Sequence, residues 1–246
     1  MTRHYDRRQA LTALGAVSLG SLLAACGSDD ATKVGTTDGT TATVEPTTTT
    51  DAKTSKLFDE AATCSVTLEL TEGPYYFDAD SIRSDIRENR PGTRLRLAIR
   101  VREAGACKPI PDAVVDLWHC DALGAYSGFE GGPGSGRSGS ERFLRGAQVT
   151  NAEGVAEFVT IYPGWYQGRT VHIHAKVHLD KSTVLTSQLF FDDAISAKVY
   201  EREPYAQRGT PEQGNASDGI FDEALLLTLK EDGEGWLGVM TFDVET

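Results

Sequence analysis

Apolar and polar residues alternate with a period of two in six separate stretches of this chain: Arg94–Arg102 (RLRLAIRVR), Ala113–His119, Gly154–Ile161, Thr170–Leu179, Leu185–Phe191 and Trp236–Val244. Successive side chains of an extended strand point to opposite faces, so each stretch offers one apolar and one polar face. Turn clusters such as EAGA at 103–106, NAEG at 151–154 and YPG at 162–164 separate the stretches, and no long segment has a helical period. A strand apolar on one face must bury it against another layer. The expected fold is therefore all-β, a β-sandwich with long loops. One loop, Glu130–Ser140 (EGGPGSGRSGS), has almost no side chain to pack and reads either as a spacer or as a gate over a site.

The N-terminal region has a different composition. Arg7 and Arg8 precede an uncharged run from Gln9 to Ala25, shorter than the roughly 20 apolar residues that span a membrane comfortably. Leu23-Ala24-Ala25-Cys26 then follows the pattern of a lipoprotein signal box. The expected organisation is a twin-arginine export signal over residues 1–25, with Cys26 as the lipidated first residue of the exported chain; a plain cleaved signal is the alternative. Residues 26–56, rich in Thr, Gly, Asp and Ala, cannot bury enough surface to offset their ordering entropy and are expected to form a disordered tether. The folded domain is expected over 57–246, held to the outer face of the cytoplasmic membrane by the lipid. A net charge of −12 disfavours nucleic acid as a partner. With Cys26 assigned to the lipid, Cys64, Cys107 and Cys120 remain in a compartment where disulfides persist. Cys107 and Cys120 flank a short loop and a strand and are the favoured pair, although sequence does not determine connectivity.

The segment PGWYQGRTVHIHAKV, Pro163 to Val177, concentrates chemistry. In a strand His172 and His174 share a face with Cα atoms about 6.6 Å apart, so both imidazoles can reach one metal ion. The opposite face, Val171, Ile173, Ala175 and Val177, is core-like, and His178 lies too far along to join the pair, which places it at the surface. The alternative for His-x-His is a half-buried strand whose polar face happens to carry histidines. No carboxylate follows the pair closely, and only His119 and Asp121 are at hand to complete a zinc site. What lies nearby instead is tyrosine.

Taken in order, Thr71-Glu-Gly-Pro-Tyr-Tyr76, Trp118-His-Cys-Asp-Ala-Leu-Gly-Ala-Tyr126, Tyr162-Pro-Gly-Trp-Tyr166, Arg169-Thr-Val-His-Ile-His174 and Ser187-Gln188 resemble the intradiol ring-cleavage dioxygenases. The resemblance implies a β-sandwich, a non-haem Fe(III) cofactor, and cleavage by O2 of a catechol-type ring between its two hydroxylated carbons to a muconate-type product. It further implies Tyr126, Tyr166, His172 and His174 as metal ligands, with Tyr166 the phenolate released when substrate binds. Arg169 and Gln188 would steady the reacting substrate, and Gly73, Pro74 and Tyr75, beside Glu72, would line its pocket. Tyr162 competes with Tyr166 for the phenolate role but sits better as a packed turn residue. Tyr75 and Tyr76 could each line the pocket or cover the core edge, Trp118 reads as core, and His119 reads as pocket support. Iron(III) is a hard acid suited to phenolate oxygen, and two phenolates with one hydroxide would cancel its charge. The short stretch Leu57–Arg90 replaces the helical dimerisation region of the catechol-cleaving members, so an oligomer is left unassigned. Two other readings are a non-catalytic exported lipoprotein that binds a metal or aromatic ligand, and a zinc hydrolase built on the histidine pair.

Overall fold

The structure is a computed structural model and describes residues 32–35, 41–44, 50–59, 64–77, 79, 81–130, 138–179 and 182–246. The signal over 1–25 and the lipid site at Cys26 lie outside the described residues, as does the middle of the Gly-rich loop. Two four-stranded sheets form the body. The first has the order β6 (Val155–Ile161), β3 (Arg94–Glu103), β10 (Gly235–Val244), β9 (Thr228–Asp232), and the second β5 (Arg145–Val149), β4 (Val114–Trp118), β7 (His172–Leu179), β8 (Ser182–Phe190). All pairings are antiparallel except β3 with β10, which run parallel from Leu95 opposite Trp236 to Glu103 opposite Val244. The arrangement is the expected β-sandwich.

Strand periodicity explains how the layers meet. Leu95, Leu97, Ile99 and Val101 of β3 and Met240, Phe242 and Val244 of β10 share one core cluster with Val115 and Leu117 of β4 and Ile173, Ala175 and Val177 of β7. The apolar face of each strand is thus spent between the sheets. The polar faces point outward, and those of β4, β7 and β8 carry the histidines and Gln188.

On the outer side of the first sheet, the arginines of RLRLAIRVR are tied down instead of simply solvated. Arg102 grips Asp243 with two parallel hydrogen bonds of 2.8 and 3.0 Å, and the Arg100 guanidinium lies 4.5 Å from the centre of the Phe58 ring. Arg96 reaches Asp51 and Thr54. These residues belong to α1 (Ala52–Asp59) and its cap, where the Asp51 carboxylate accepts from the Thr54 N–H at 2.9 Å. Leu57 and Phe58 pack on Ala98, Val155, Leu237 and Val239. The folded part therefore includes this helix and starts before the expected boundary at 57, because a capped turn with two apolar residues can bury them on an apolar patch of the sheet. A two-stranded ribbon, β1 (Thr32–Gly35) and β2 (Thr41–Val44), lies further upstream within the stretch expected to be unstructured.

Besides α1 and the ribbon, two strands and a helix are not marked by sequence periodicity. Strand β5 begins with a buried arginine and contains Gly146, where a Cβ would come within 2.6 Å of Ile86; close approach of the Ile86 segment, not alternation, dictates its composition. Strand β9, TLKED, has a single apolar residue, Leu229, and therefore no alternation to read. Helix α2 (Asp193–Tyr200), capped by Asp192 through the Ala194 and Ile195 N–H groups, has eight residues, too few for a periodic signal.

The disulfide joins Cys64 to Cys107, not Cys107 to Cys120. Cys64 lies where the chain enters the sandwich, and the Gly105 N–H donates to its carbonyl, which brings the two Cα atoms to 5.6 Å. Cys120 sits on the far side of the second sheet, buried, its thiol donating to the Gly164 carbonyl. Non-reducing peptide mapping is expected to recover a Cys64–Cys107 linked pair, with Cys120 alkylated only after unfolding; a Cys107–Cys120 peptide would refute this. Phe58→Ala should lower unfolding free energy by about 3 kcal/mol in urea titration, the usual effect of removing a buried phenylalanine, whereas an α1 that contributes nothing to the fold would leave the midpoint unmoved.

Candidate active site

The site lies on the outer face of the second sheet. Cross-strand register sets Trp118, His174 and Gln188 in one row across β4, β7 and β8, with His172 one step along opposite Phe190. Trp118 lies flat against the His174 ring, centroids 4.9 Å apart and planes within 5°. Its role is to hold an imidazole. Over this row fold three loops: 71–77, 120–130 and 162–170. They bring Tyr75, Tyr126 and Tyr166 together with Trp118 and Cys120 in a second, aromatic cluster separate from the sandwich core.

Donor atoms converge at the centre. His172 Nε2 and His174 Nε2 are 3.2 Å apart, and the Tyr166 hydroxyl is 3.0 Å from His172 Nε2. His172 Nδ1 donates to the Thr170 carbonyl at 2.7 Å, which leaves the Nε2 lone pair directed into the site. The Tyr126 ring lies 5.6 Å from that of Tyr166 and 6.3 Å from that of His174, and its buried hydroxyl interacts with the Tyr166 hydroxyl without a hydrogen bond of regular geometry. A buried phenol so weakly partnered is costly unless something else engages it. Two imidazole nitrogens and two phenol oxygens around one point suit a hard, highly charged cation. Among the described residues no group of three or more His, Cys, Asp or Glu gathers in a way that could hold a metal, so any such site depends on the tyrosines.

Electrostatics keep the donors neutral at rest. Burial, then the Arg169 cation, pushes His172 down to about 3, and burial with the neighbouring His172 holds His174 well below its ordinary range. Burial raises both Tyr126 and Tyr166, with Arg169 opposing the rise at Tyr166. The imidazoles therefore need lose no proton on binding a metal; the phenols must.

Arg169 is bracketed. Its Nε donates to Asp218 at 2.8 Å, one terminal nitrogen donates to Gln188 at 2.6 Å, and the other lies 3.4 Å from His172 Nε2. Gln188 in turn donates to the Thr71 carbonyl at 2.9 Å, linking the guanidinium to the segment that carries Gly73, Pro74 and Tyr75. Tyr75 stacks on Tyr126, centroids 4.3 Å apart, and meets Tyr166 edge-on at 5.9 Å. Gly73, at φ +72°, passes so close that a Cβ would fall 3.1 Å from His174 Cε1, so a side chain there would crowd the imidazole. Pro74 is exposed. Tyr76 packs against Trp118 beneath the Lys176 ammonium, which pairs with Glu72.

Other candidates turn away. His119 points to the opposite side of its strand end, between the sheets, with both ring nitrogens engaged by Thr160 Oγ1 at 2.7 Å and the Cys120 carbonyl at 2.8 Å. Burial pushes its pKa down to about 4, and it supports the core instead of the pocket. Asp121 accepts from the Leu123 and Ala125 N–H groups. Neither residue completes a zinc site with the histidine pair. Tyr162 bonds Ser196 of α2 at 2.8 Å and belongs to the sandwich core.

Two site residues escaped sequence reading. Asp218 lies 49 residues from Arg169 in a polar turn, and nothing in its local sequence marks it. Arg145, buried beside Ser127, has its guanidinium 4.2 Å from the Phe77 ring centre and 5.8 Å from that of Tyr126. A buried arginine shows as such only once its neighbours are known.

Comparison with known proteins bears on the family and the fold. A family model described as Dioxygenase matches residues 71–200. The chain is 34% identical to an intradiol ring-cleavage dioxygenase from Tetranychus urticae, covering 74% of this chain and 95% of that one with a TM-score of 0.70. It is 33% identical to the dioxygenase domain of a carbohydrate-binding fusion protein from Streptomyces sp. SirexAA-E, covering 74% and 99% with a TM-score of 0.57. Among curated proteins, a catechol 1,2-dioxygenase of Acinetobacter lwoffii is 31% identical over 50% of this chain and 47% of its own length. A chlorocatechol 1,2-dioxygenase of Rhodococcus opacus is 27% identical over 51% and 56%. The chain thus spans about half the length of these two curated relatives. With the match running from the loop over His174 to the end of α2, and with the sandwich shared, the chain belongs to the intradiol ring-cleavage dioxygenase family.

Proposed function

We propose that this protein is a ferric intradiol dioxygenase that opens catechol-type rings between the two hydroxylated carbons with O2, giving muconate-type products. The observation that carries the reading is the convergence of Tyr126, Tyr166, His172 and His174 beside a guanidinium held by Gln188. Relatives named for catechol and chlorocatechol support the substrate class. Tyr126, Tyr166, His172 and His174 would hold the iron, and their chemistry fits it: two neutral imidazoles and two phenols able to ionise in its field. When bound, Fe(III) supplies a chelating centre that makes the catecholate reactive toward dioxygen.

The chain's own residues account for the rest. Tyr166 is half-buried, whereas Tyr126 is buried. Ionised in the cation's field, Tyr166 Oη would take a proton from an incoming catechol hydroxyl and become a neutral phenol free to swing clear. Tyr126 stays, clamped under Tyr75. Tyr75, stacked on Tyr126 and met edge-on by Phe129, would form an aromatic wall that keeps water from a bound ring. Arg169 lies on the same side as His172 Nε2, where its fixed charge stabilises negative charge developing on the ring during oxygen attack. Exported and tethered through Cys26, the enzyme would act on aromatics outside the cytoplasm.

Two outcomes test the reading. Iron-loaded protein is expected to be red-purple from tyrosinate charge transfer and to consume O2 with catechol, recorded by absorbance and an oxygen electrode; colourless, fully metallated protein inert to every catechol tried would defeat it. Because both phenols must ionise while both imidazoles are already neutral, ferric affinity should strengthen by about 100-fold per pH unit as pH rises below neutrality. Chelator competition, corrected for the chelator's own protonation, measures this, and a flat profile would remove tyrosine from the ligand set.

A further inference from the structure

Asp218 is the only carboxylate bonded to Arg169 among the described residues. Its Oδ2 accepts from Arg169 Nε and from the Thr170 N–H, each at 2.8 Å, and its Oδ1 accepts from the Ile220 N–H at 2.8 Å. The carboxylate therefore ties together a side chain, the backbone of the next residue and its own turn. That turn is fixed in its own right: Asn215 accepts from Thr170 Oγ1 at 2.7 Å and donates through Nδ2 to the Phe191 carbonyl at 2.8 Å, and the Asp193 carboxylate accepts from its N–H. The side chains of Arg169 and Asp218 are 15% and 2% exposed, so water screens the pair little.

A guanidinium bonded only to Gln188 could still pivot about that contact. A second anchor on Nε fixes its plane and leaves one terminal nitrogen facing His172 Nε2. A cation so close to a metal ligand would also repel a bound metal, and the carboxylate on its far edge offsets that charge. We propose that Asp218 is a positioning residue that sets the orientation of Arg169 for the ring-cleavage step without touching substrate. The assignment rests on the ferric dioxygenase reading.

The test is a double-mutant cycle on iron-loaded full-length protein with catechol. Parent protein that neither colours nor turns over would defeat the dioxygenase reading itself, separately from this one. Given an active parent, Asp218→Asn should keep the parental iron content and charge-transfer band and bind catechol anaerobically within about three-fold of parent. Its kcat should fall by about 10- to 100-fold, the scale of a misplaced catalytic group. In an Arg169→Gln background the same change should alter kcat by less than about two-fold, since nothing remains to be positioned. An equal loss in both backgrounds, or parental kcat in Asp218→Asn, would overturn the assignment. Should Asp218→Asn fail to accumulate, Asp218→Glu, which keeps the charge but displaces it by a methylene, enters the same cycle with the same criteria.

Discussion

Strand β7 has two faces, and everything else is arranged around that. Ile173, Ala175 and Val177 are driven into the space between the sheets, which obliges His172 and His174 to project together on the other side. Burial of the apolar face is worth several kcal/mol at about 25 cal/mol per Å², so the histidines are aimed by the hydrophobic effect. A one-residue slip of register would send both into the core and bring isoleucine to the site. The neighbouring strands tighten the aim, with Trp118 stacked on one ring and Gln188 opposite it.

Around that pair the loops solve an electrostatic problem. The site must be dry enough to strengthen its interactions yet carry no uncompensated charge. Neutral imidazoles, un-ionised phenols and an Arg169–Asp218 pair achieve this at rest. On the proposed reading, two phenols ionising beside a trivalent cation would keep the total small afterwards. Gly73 lets the covering loop lie against His174, and Tyr75 closes over Tyr126.

Much of this was legible from residue types and spacing. Alternation marked six strands, and His-x-His beside Tyr166 and Arg169 marked the face that matters, because period two is a local property. Strand β5 was not legible, since Gly146 and Arg145 answer to Ile86, Phe77 and Ser127, residues distant in sequence. The cysteine pairing was misjudged for a related reason. Cys120 is nearer to Cys107 along the chain, but strand β4 runs between the two and sets them at its opposite ends, whereas Cys64 arrives beside Cys107 as the chain enters the sandwich. The arginine face of β3 is organised by α1 and Asp243, residues distant from it in sequence.

By itself the sequence determined the layer type and the direction in which the paired histidines point, because each follows from the two-residue repeat of an extended chain, while the residues expected to join them were implied by the resemblance to the intradiol dioxygenases. Tertiary structure alone decided that the Tyr166 hydroxyl reaches His172 Nε2, that His119 and Asp121 stay away, and that Asp218 holds Arg169. Those outcomes depend on where loops separated by tens of residues come to rest, and that is set by packing over the whole sandwich.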